Sequence, residues 1–321
     1  MRSFEELSLS FSTRFETDHF PTTPDTLYGP NRYFLKLGGK RVRPVLCLMG
    51  HELFDELNED TWQLATAVEL FHNFTLIHDD IMDQAPLRRG KPTVHEKWNA
   101  NIAILSGDVM LVRAYDLLLP TPTALLPEAI RLFNKTAAEV CEGQQYDMDY
   151  ASYETVSLSS YLEMIRLKTA VLLGGAMQLG AIVADASEKQ LEQVQHFAES
   201  MGLAFQIKDD IFDYGDDKKI GKPTGNDIRE RKMTLPLIYA LNNCDKTTRK
   251  ELINIVKNHN EEPKFVRKAI DHVVKSGGVK YAYERMIEIK NEALALLDGL
   301  EDSNSKKALI GLVENTVYRE K

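Results

Sequence analysis

A chain of 321 residues that is 43% hydrophobic and 27% charged has the make-up of a globular protein with a large core. Its formal net charge of −9 argues against sequence-independent nucleic-acid binding, so an anionic substrate has to be caught by a local cluster of cations. The three cysteines, Cys47, Cys141 and Cys244, are far apart and show no zinc-ligand spacing, which fits a reducing cytoplasm better than a disulfide framework.

The first residues, MRSFEELSLSFSTRF, are charged and lack an apolar signal core. GGKRVRP then places Lys40, Arg41 and Arg43 on a glycine-initiated segment. TWQLATAVELFHNFTLIHDDIMD reads as one long helix, mostly apolar in its first part. SGDVMLVRAYDLLL predicts another, closed by the prolines of PTPTALLP. Residues 128–150, 158–184 and 188–213 predict three more. The run Thr169–Ala184 is nearly apolar but only sixteen residues long, and a bilayer span needs about 20, so a buried helix is expected and no membrane span. YGDDKKIGKPTGND, residues 214–227, is a loop, after which TLPLIYALNN resumes a helix with Pro236 in its first turn. Residues 247–320 predict several shorter amphipathic helices. No run of alternating strands and no biased linker appears. The expectation is an all-α fold, a single helical-bundle domain over 1–321 around a central cavity.

Two acidic clusters carry the chemistry. Asp79, Asp80 and Asp83 follow FTLI, and Asp209, Asp210 and Asp213 follow LAFQI at the same spacing. On a helix, Asp79 and Asp83 are i and i+4, so both carboxylates share a face and repel unless a cation joins them. With Mg²⁺ they become hard oxygen ligands that leave positions for water and phosphate oxygens. Two such sets facing one another across a cavity would hold several Mg²⁺ ions around a diphosphate. Cations fall near the same places: Lys40, Arg41 and Arg43, then Arg88 and Arg89, Lys168 beside Thr169, Lys222 in the loop, and Lys232. Together they would supply two anion pockets, one with metal and one without.

In order along the chain, GGKRVRP, His72, DDIMDQAPLRRG, GDVML, EGQQYDM, KTA, FQIKDDIFD, GKPTGND and KMTLP closely resemble the trans-isoprenyl diphosphate synthases of the polyprenyl synthetase family. The resemblance runs from about residue 28 to 236, and the C-terminal third carries no motif of its own. It implies a Mg²⁺-dependent head-to-tail (1′–4) prenyl transfer between isopentenyl diphosphate and an allylic diphosphate. Residue by residue, it implies that Asp79 and Asp83 ligate two Mg²⁺ ions and Asp209 a third, with Asp80, Asp210 and Asp213 in support. Arg88, Lys168 and Lys222 would clamp the allylic diphosphate, with Lys232 nearby. Thr169 and Gln206 would orient the reacting end. Gln144 and Asp147 match positions that bind substrate or metal-bound water. Lys40, Arg43, His72 and Arg89 would hold isopentenyl diphosphate without metal. A cytoplasmic homodimer is expected.

Three other readings compete. A class I terpene cyclase also carries DDxxD, but its second motif is of another kind and it needs no metal-free diphosphate pocket. A non-catalytic subunit that tunes a partner synthase usually loses part of one cluster. An acidic helical scaffold would have no site at all.

Product length should follow from the depth of the cavity below Asp79. Phe74, five residues upstream, lies roughly 7.5 Å along the helix axis. The helical wheel favours Thr75 over Phe74 as the residue beneath Asp79, so the case for Phe74 as a floor rests on the resemblance. An aromatic there with the small Thr75 beside it tilts the expectation to geranylgeranyl diphosphate (C20), with farnesyl diphosphate (C15) next. Phe71 and the helix carrying Lys168 are the alternative floors.

Overall fold

The computed structural model describes residues 2–15, 19–215, 224–300 and 303–318, and its fold is all-α. The first ten helices are α1 (Phe4–Arg14), α2 (Asp25–Leu35), α3 (Val42–Glu52), α4 (Glu59–Met82), α5 (Val94–Lys97), α6 (Ala100–Asp116), α7 (Leu126–Tyr150), α8 (Leu158–Ile165), α9 (Val171–Val183) and α10 (Glu188–Phe212). Then come the short α11 (Asn226–Arg229), α12 (Leu235–Asn243), α13 (Lys246–Asn258), α14 (Pro263–Lys275), α15 (Gly278–Leu296) and α16 (Asn304–Tyr318).

Two features depart from the sequence expectation. The first is a small antiparallel hairpin, β1 (Leu87–Arg88) with β2 (Lys91–Pro92), joined through Arg89 and Gly90. The second lies in the segment expected to be one regular helix from 158 to 184. There a five-residue π-turn, Arg166–Ala170, joins α8 to α9. This stretch, 158–183, is long and apolar enough to cross a membrane by composition, yet 78% of its apolar window is buried inside the protein.

The chain divides into two compact units that do not follow chain order. The first holds residues 1–133, 175–192 and 303–305. Its axis is α4. Asn58 caps that helix, its side chain accepting from the Thr61 N–H at 3.0 Å. From Thr61 to Phe71 almost every residue is buried, which is why no single amphipathic face shows in the sequence. Beyond Phe71 burial thins to Asn73, Ile77 and Asp80, and the last turns of the helix carry function. Within the same unit, α3 and residues 175–183 meet backbone to backbone. A Cβ on Gly50 would overlap the Met177 carbonyl oxygen, and one on Gly180 the Cys47 carbonyl oxygen.

The second unit holds residues 134–174, 193–302 and 306–321. Its core gathers Tyr161, Ile165 and Ile207 with Leu235, Leu237, Leu252, Val266, Met286 and Ile289. Pro236 sits in the first turn of α12, where its missing N–H is not needed. Gly143 of α7 fits against the π-turn, since a Cβ there would overlap the Lys168 backbone nitrogen.

Candidate active site

In the first unit, α4 ends on its acids. It has no basic residue in its last turn, so Asp79 and Asp80 stand at the negative end of the helix dipole. Asp83 is the C-cap, and its N–H donates to the Asp79 carbonyl at 2.8 Å. The i, i+4 relation therefore holds in the structure. Like charges stacked on a dipole of the same sign are unfavourable unless a cation is close.

One cation is supplied by the chain. Arg88 Nε donates to Asp80 Oδ1 at 2.8 Å, and its Nη2 lies 3.5 Å from Asp79 Oδ2. Asp80 is only 1% exposed, and burial pushes its carboxyl upward against the pull of Arg88. Its Oδ2 is buried and has no hydrogen-bond partner among the described residues. Nor do three His, Cys, Asp or Glu side chains among the described residues converge into a ready-made metal cage. Asp79 and Asp83, two carboxylates one helical turn apart, are the kind of oxygen donors Mg²⁺ takes, with water and phosphate oxygens completing its shell.

The hairpin after α4 positions the arginine pair. Arg89 and Gly90 both have positive φ, 53° and 74°, the geometry of a two-residue type I′ turn. Thr93 Oγ1 donates to the Ala85 carbonyl at 2.8 Å, and the Tyr33 hydroxyl donates to the Pro92 carbonyl at 2.7 Å, so the hairpin is pinned at its base. Arg89 reaches back over the glycine-rich segment, where a Cβ on Gly39 would meet its Nη2 at 3.0 Å.

Arg43 and His72 complete the cluster, 3.1 Å apart through Nη1 and Nε2. Burial, followed by Arg43, Arg89, Arg88 and Arg41, holds the His72 imidazole well below its ordinary pKa. It is therefore neutral near pH 7. Because Nε2 accepts from Arg43, Nδ1 carries the proton. Burial lowers Arg43 to about 10, with Glu69 opposing, so it stays cationic at neutral pH. Arg43 Nε is buried without a hydrogen-bond partner among the described residues, a donor suited to an anion. Lys40 is exposed at the edge of the segment.

In the second unit the repeated DDxxD is used differently. Asp210 is 4% exposed; it accepts from the Tyr161 hydroxyl on Oδ2 and from Gln206 Nε2 on Oδ1 at 3.2 Å. Burial pushes it up to about 7 despite those donors. Asp213 accepts the backbone N–H groups of Asn226 and Asp227, both at 2.9 Å, and so fastens the chain that returns from the loop. Asp209 is half-buried on the same helix end. Thr169 Oγ1 donates to Gln206 Oε1 at 3.3 Å, joining two of the predicted site residues. Lys168 Nζ lies 2.6 Å from Asp147 Oδ2, and Gln144 is half-buried one turn before Asp147. Lys232 pairs with Glu230 at 2.7 Å. Lys222 lies outside the described residues.

The chain-length candidates sit in an aromatic string of the first unit. Phe74 is edge-on to Phe71 at 5.3 Å and to His78 at 5.0 Å, and Phe71 continues to Phe133 at 5.2 Å. Phe71 is 1% exposed, whereas Phe74 and Thr75 are half-buried. Thr75 Oγ1 donates back to the His72 carbonyl at 2.8 Å.

Sequence reasoning missed Glu69, Tyr161 and Asp227. Glu69 was findable as the lone charge in the apolar stretch from Trp62 to Phe71. Tyr161 lies two helical turns before Lys168, a period the π-turn blurs. Asp227 closes the motif GKPTGND and was given no role of its own.

A family model described as polyprenyl synthetase matches residues 24–273. The chain is 41% identical over 249 residues to a short chain isoprenyl diphosphate synthase of Methanocaldococcus jannaschii, covering 77% of this chain and 76% of that one. It is 35% identical over 303 residues to a geranylgeranyl diphosphate synthase of Methanosarcina mazei, covering 93% and 91%. A solved geranylgeranyl pyrophosphate synthase matches over 100% of both chains at 39% identity, with a TM-score of 0.93.

Proposed function

The chain belongs to the polyprenyl synthetase family and is a short-chain isoprenyl diphosphate synthase, a prenyltransferase, and we propose that it condenses isopentenyl diphosphate with an allylic diphosphate to give geranylgeranyl diphosphate. The observation that carries this is made within one unit. A carboxylate set at the end of α4 stands beside a cluster of guanidiniums around a neutral histidine, with Arg88 touching the carboxylates. That is a metal-binding edge next to an anion pocket that needs no metal.

The family uses Mg²⁺. In this chain Asp79 and Asp83 would hold it, with Asp209 holding a third ion and Asp80, Asp210, Asp213 and Asp147 in support. Bound there, Mg²⁺ neutralises the charge that develops on a departing diphosphate. Arg88, Lys168, Lys222 and Lys232 bind the allylic diphosphate and stabilise the same charge. Lys40, Arg43 and Arg89 grip the diphosphate of isopentenyl diphosphate, and His72 donates to it from Nδ1. Thr169, Gln206 and Gln144 orient the reacting end. The double bond of isopentenyl diphosphate attacks the allylic carbon, and the proton lost from the adduct passes to the departing diphosphate. No side-chain nucleophile is required. We place the enzyme in the cytoplasm as a homodimer whose 321 residues act as one synthase domain; the free thiols of Cys47, Cys141 and Cys244 suit that compartment.

The test is product analysis with Mg²⁺, labelled isopentenyl diphosphate and each allylic starter in turn. Diphosphate release with both substrates, and a C20 product, is expected. Release from the allylic substrate alone would make the chain a cyclase, and no turnover with any starter would make it a regulatory subunit. C15 as the sole product would correct the assigned length.

A further inference from the structure

Glu69 is hard to explain as packing. It is the lone charge between Trp62 and Phe71, on the most buried stretch of α4, and is itself 3% exposed. A buried carboxylate carries a desolvation penalty that an apolar side chain would avoid. Its partners are specific. Arg41 Nη1 donates to Oε1, and Asn73 Nδ2 donates to the same oxygen at 2.9 Å. The Arg41 and Glu69 side chains are 8% and 4% exposed, so the pair is sealed from solvent. Arg41 is itself constrained. It is the N-cap of α3 with φ 54°, a left-handed conformation that a non-glycine residue adopts only under constraint. The Phe15 ring covers its guanidinium at 4.7 Å.

The pair adjoins the proposed isopentenyl diphosphate pocket. Arg43 follows Arg41 by two residues, and His72 follows Glu69 by three, so the two sealed residues and the two pocket residues ride on the same pair of helices. The charges of Arg41, Arg43, Arg88 and Arg89 all act on His72. Cations packed this closely repel. Glu69 offsets that repulsion, and its charge reaches both Arg43 and Arg89.

We propose that Glu69 and Arg41 are positioning residues for the metal-free diphosphate: their buried ion pair fixes the start of α3 against α4 and holds Arg43 and Arg89 in register for the anion without touching it. This rests on the reading of Arg43, His72 and Arg89 as the isopentenyl diphosphate pocket.

The variants are Glu69→Gln, which keeps the shape and removes the charge, and the double variant Arg41→Met with Glu69→Met, which removes the pair. Isopentenyl diphosphate binding is measured calorimetrically without Mg²⁺, alongside KM for each substrate and thermal stability. Glu69→Gln is expected to weaken isopentenyl diphosphate binding by about tenfold or more, with KM for the allylic substrate within about twofold of the parent. The double variant is expected to regain stability relative to Glu69→Gln and keep the weakened binding. If the double variant regains both stability and binding, the pair is only structural and the proposal falls. Binding within twofold of the parent in Glu69→Gln overturns it as well. Arg89→Ala serves as the control on the pocket: if it leaves isopentenyl diphosphate binding intact, the pocket reading has failed, whatever Glu69 does.

Discussion

Arg88 turns back on the helix that precedes it and donates from Nε to Oδ1 of Asp80 at 2.8 Å. Asp80 is thereby committed to the chain's own cation and to the interior, while the half-buried Asp79 and the exposed Asp83 present the outer acids of the motif. Removing either outer carboxylate takes a hard ligand away and leaves a good helix-former in its place. Asp79→Ala and Asp83→Ala should each lose turnover by several orders of magnitude, with circular dichroism unchanged. Near-normal turnover at ordinary Mg²⁺ in either variant would remove these residues from the metal site.

The two diphosphates should separate genetically. Arg89→Ala should raise KM for isopentenyl diphosphate by about tenfold or more, the loss of one charge-assisted hydrogen bond, and shift the allylic KM much less. Lys168→Ala should do the reverse. Steady-state kinetics with each substrate varied in turn checks this, and equal effects on both constants would dissolve the two-pocket assignment.

Phe74 stands between Phe71 and His78 in the aromatic string, and is half-buried where Phe71 is sealed. Phe74→Ala should lengthen the products and leave the Mg²⁺ dependence as it is. Chromatography of the dephosphorylated products reads the outcome. An unchanged distribution would move the floor to Phe71.

What the sequence made legible was set by the physics of each feature. The helix α10 announces itself because apolar residues recur with the helical period, and α4 because its apolar run is too long for a strand; the acids closing each of them stand out as charge after apolar sequence. The hairpin around Arg89 was invisible because its strands are two residues each, too short to alternate. The two DDxxD motifs look alike in sequence, yet beyond Gln206, one turn back on the same helix, the donors that capture Asp210 and Asp213 come from Tyr161, 49 residues away, and from the returning chain at Asn226. Spacing along one helix carries no information about such partners.

Asp210 also has a thermodynamic signature. Its folded pKa, about 7, stands above the ordinary 3.8, chiefly through burial. Between those values the native state holds a proton that the unfolded chain releases. Stability from this group is therefore present below about pH 4 and is lost as pH rises towards 7. Asp210→Asn should flatten that fall. Melting temperatures of both proteins from pH 4 to 8 provide the check. Part of the slope should survive in the variant, because Asp213 and Asp227 are pushed upward as well. Identical profiles would mean that Asp210 stays ionised in the fold.

The π-turn at Arg166–Ala170 holds one residue more than a regular helix would. Each residue of an α-helix advances the phase by about 100°. In a regular helix a one-residue deletion rotates everything before it by that angle, but here a deletion within the five can be absorbed by closing the wide turn to a regular one. Leu158–Ile165 then stays in phase with the helix that follows, and Tyr161 stays on Asp210. What changes is local: Lys168 and Thr169 lose the wide turn that presents them. A library of single deletions across 158–174 should find the fold most tolerant of deletion within the π-turn, while turnover is lost there.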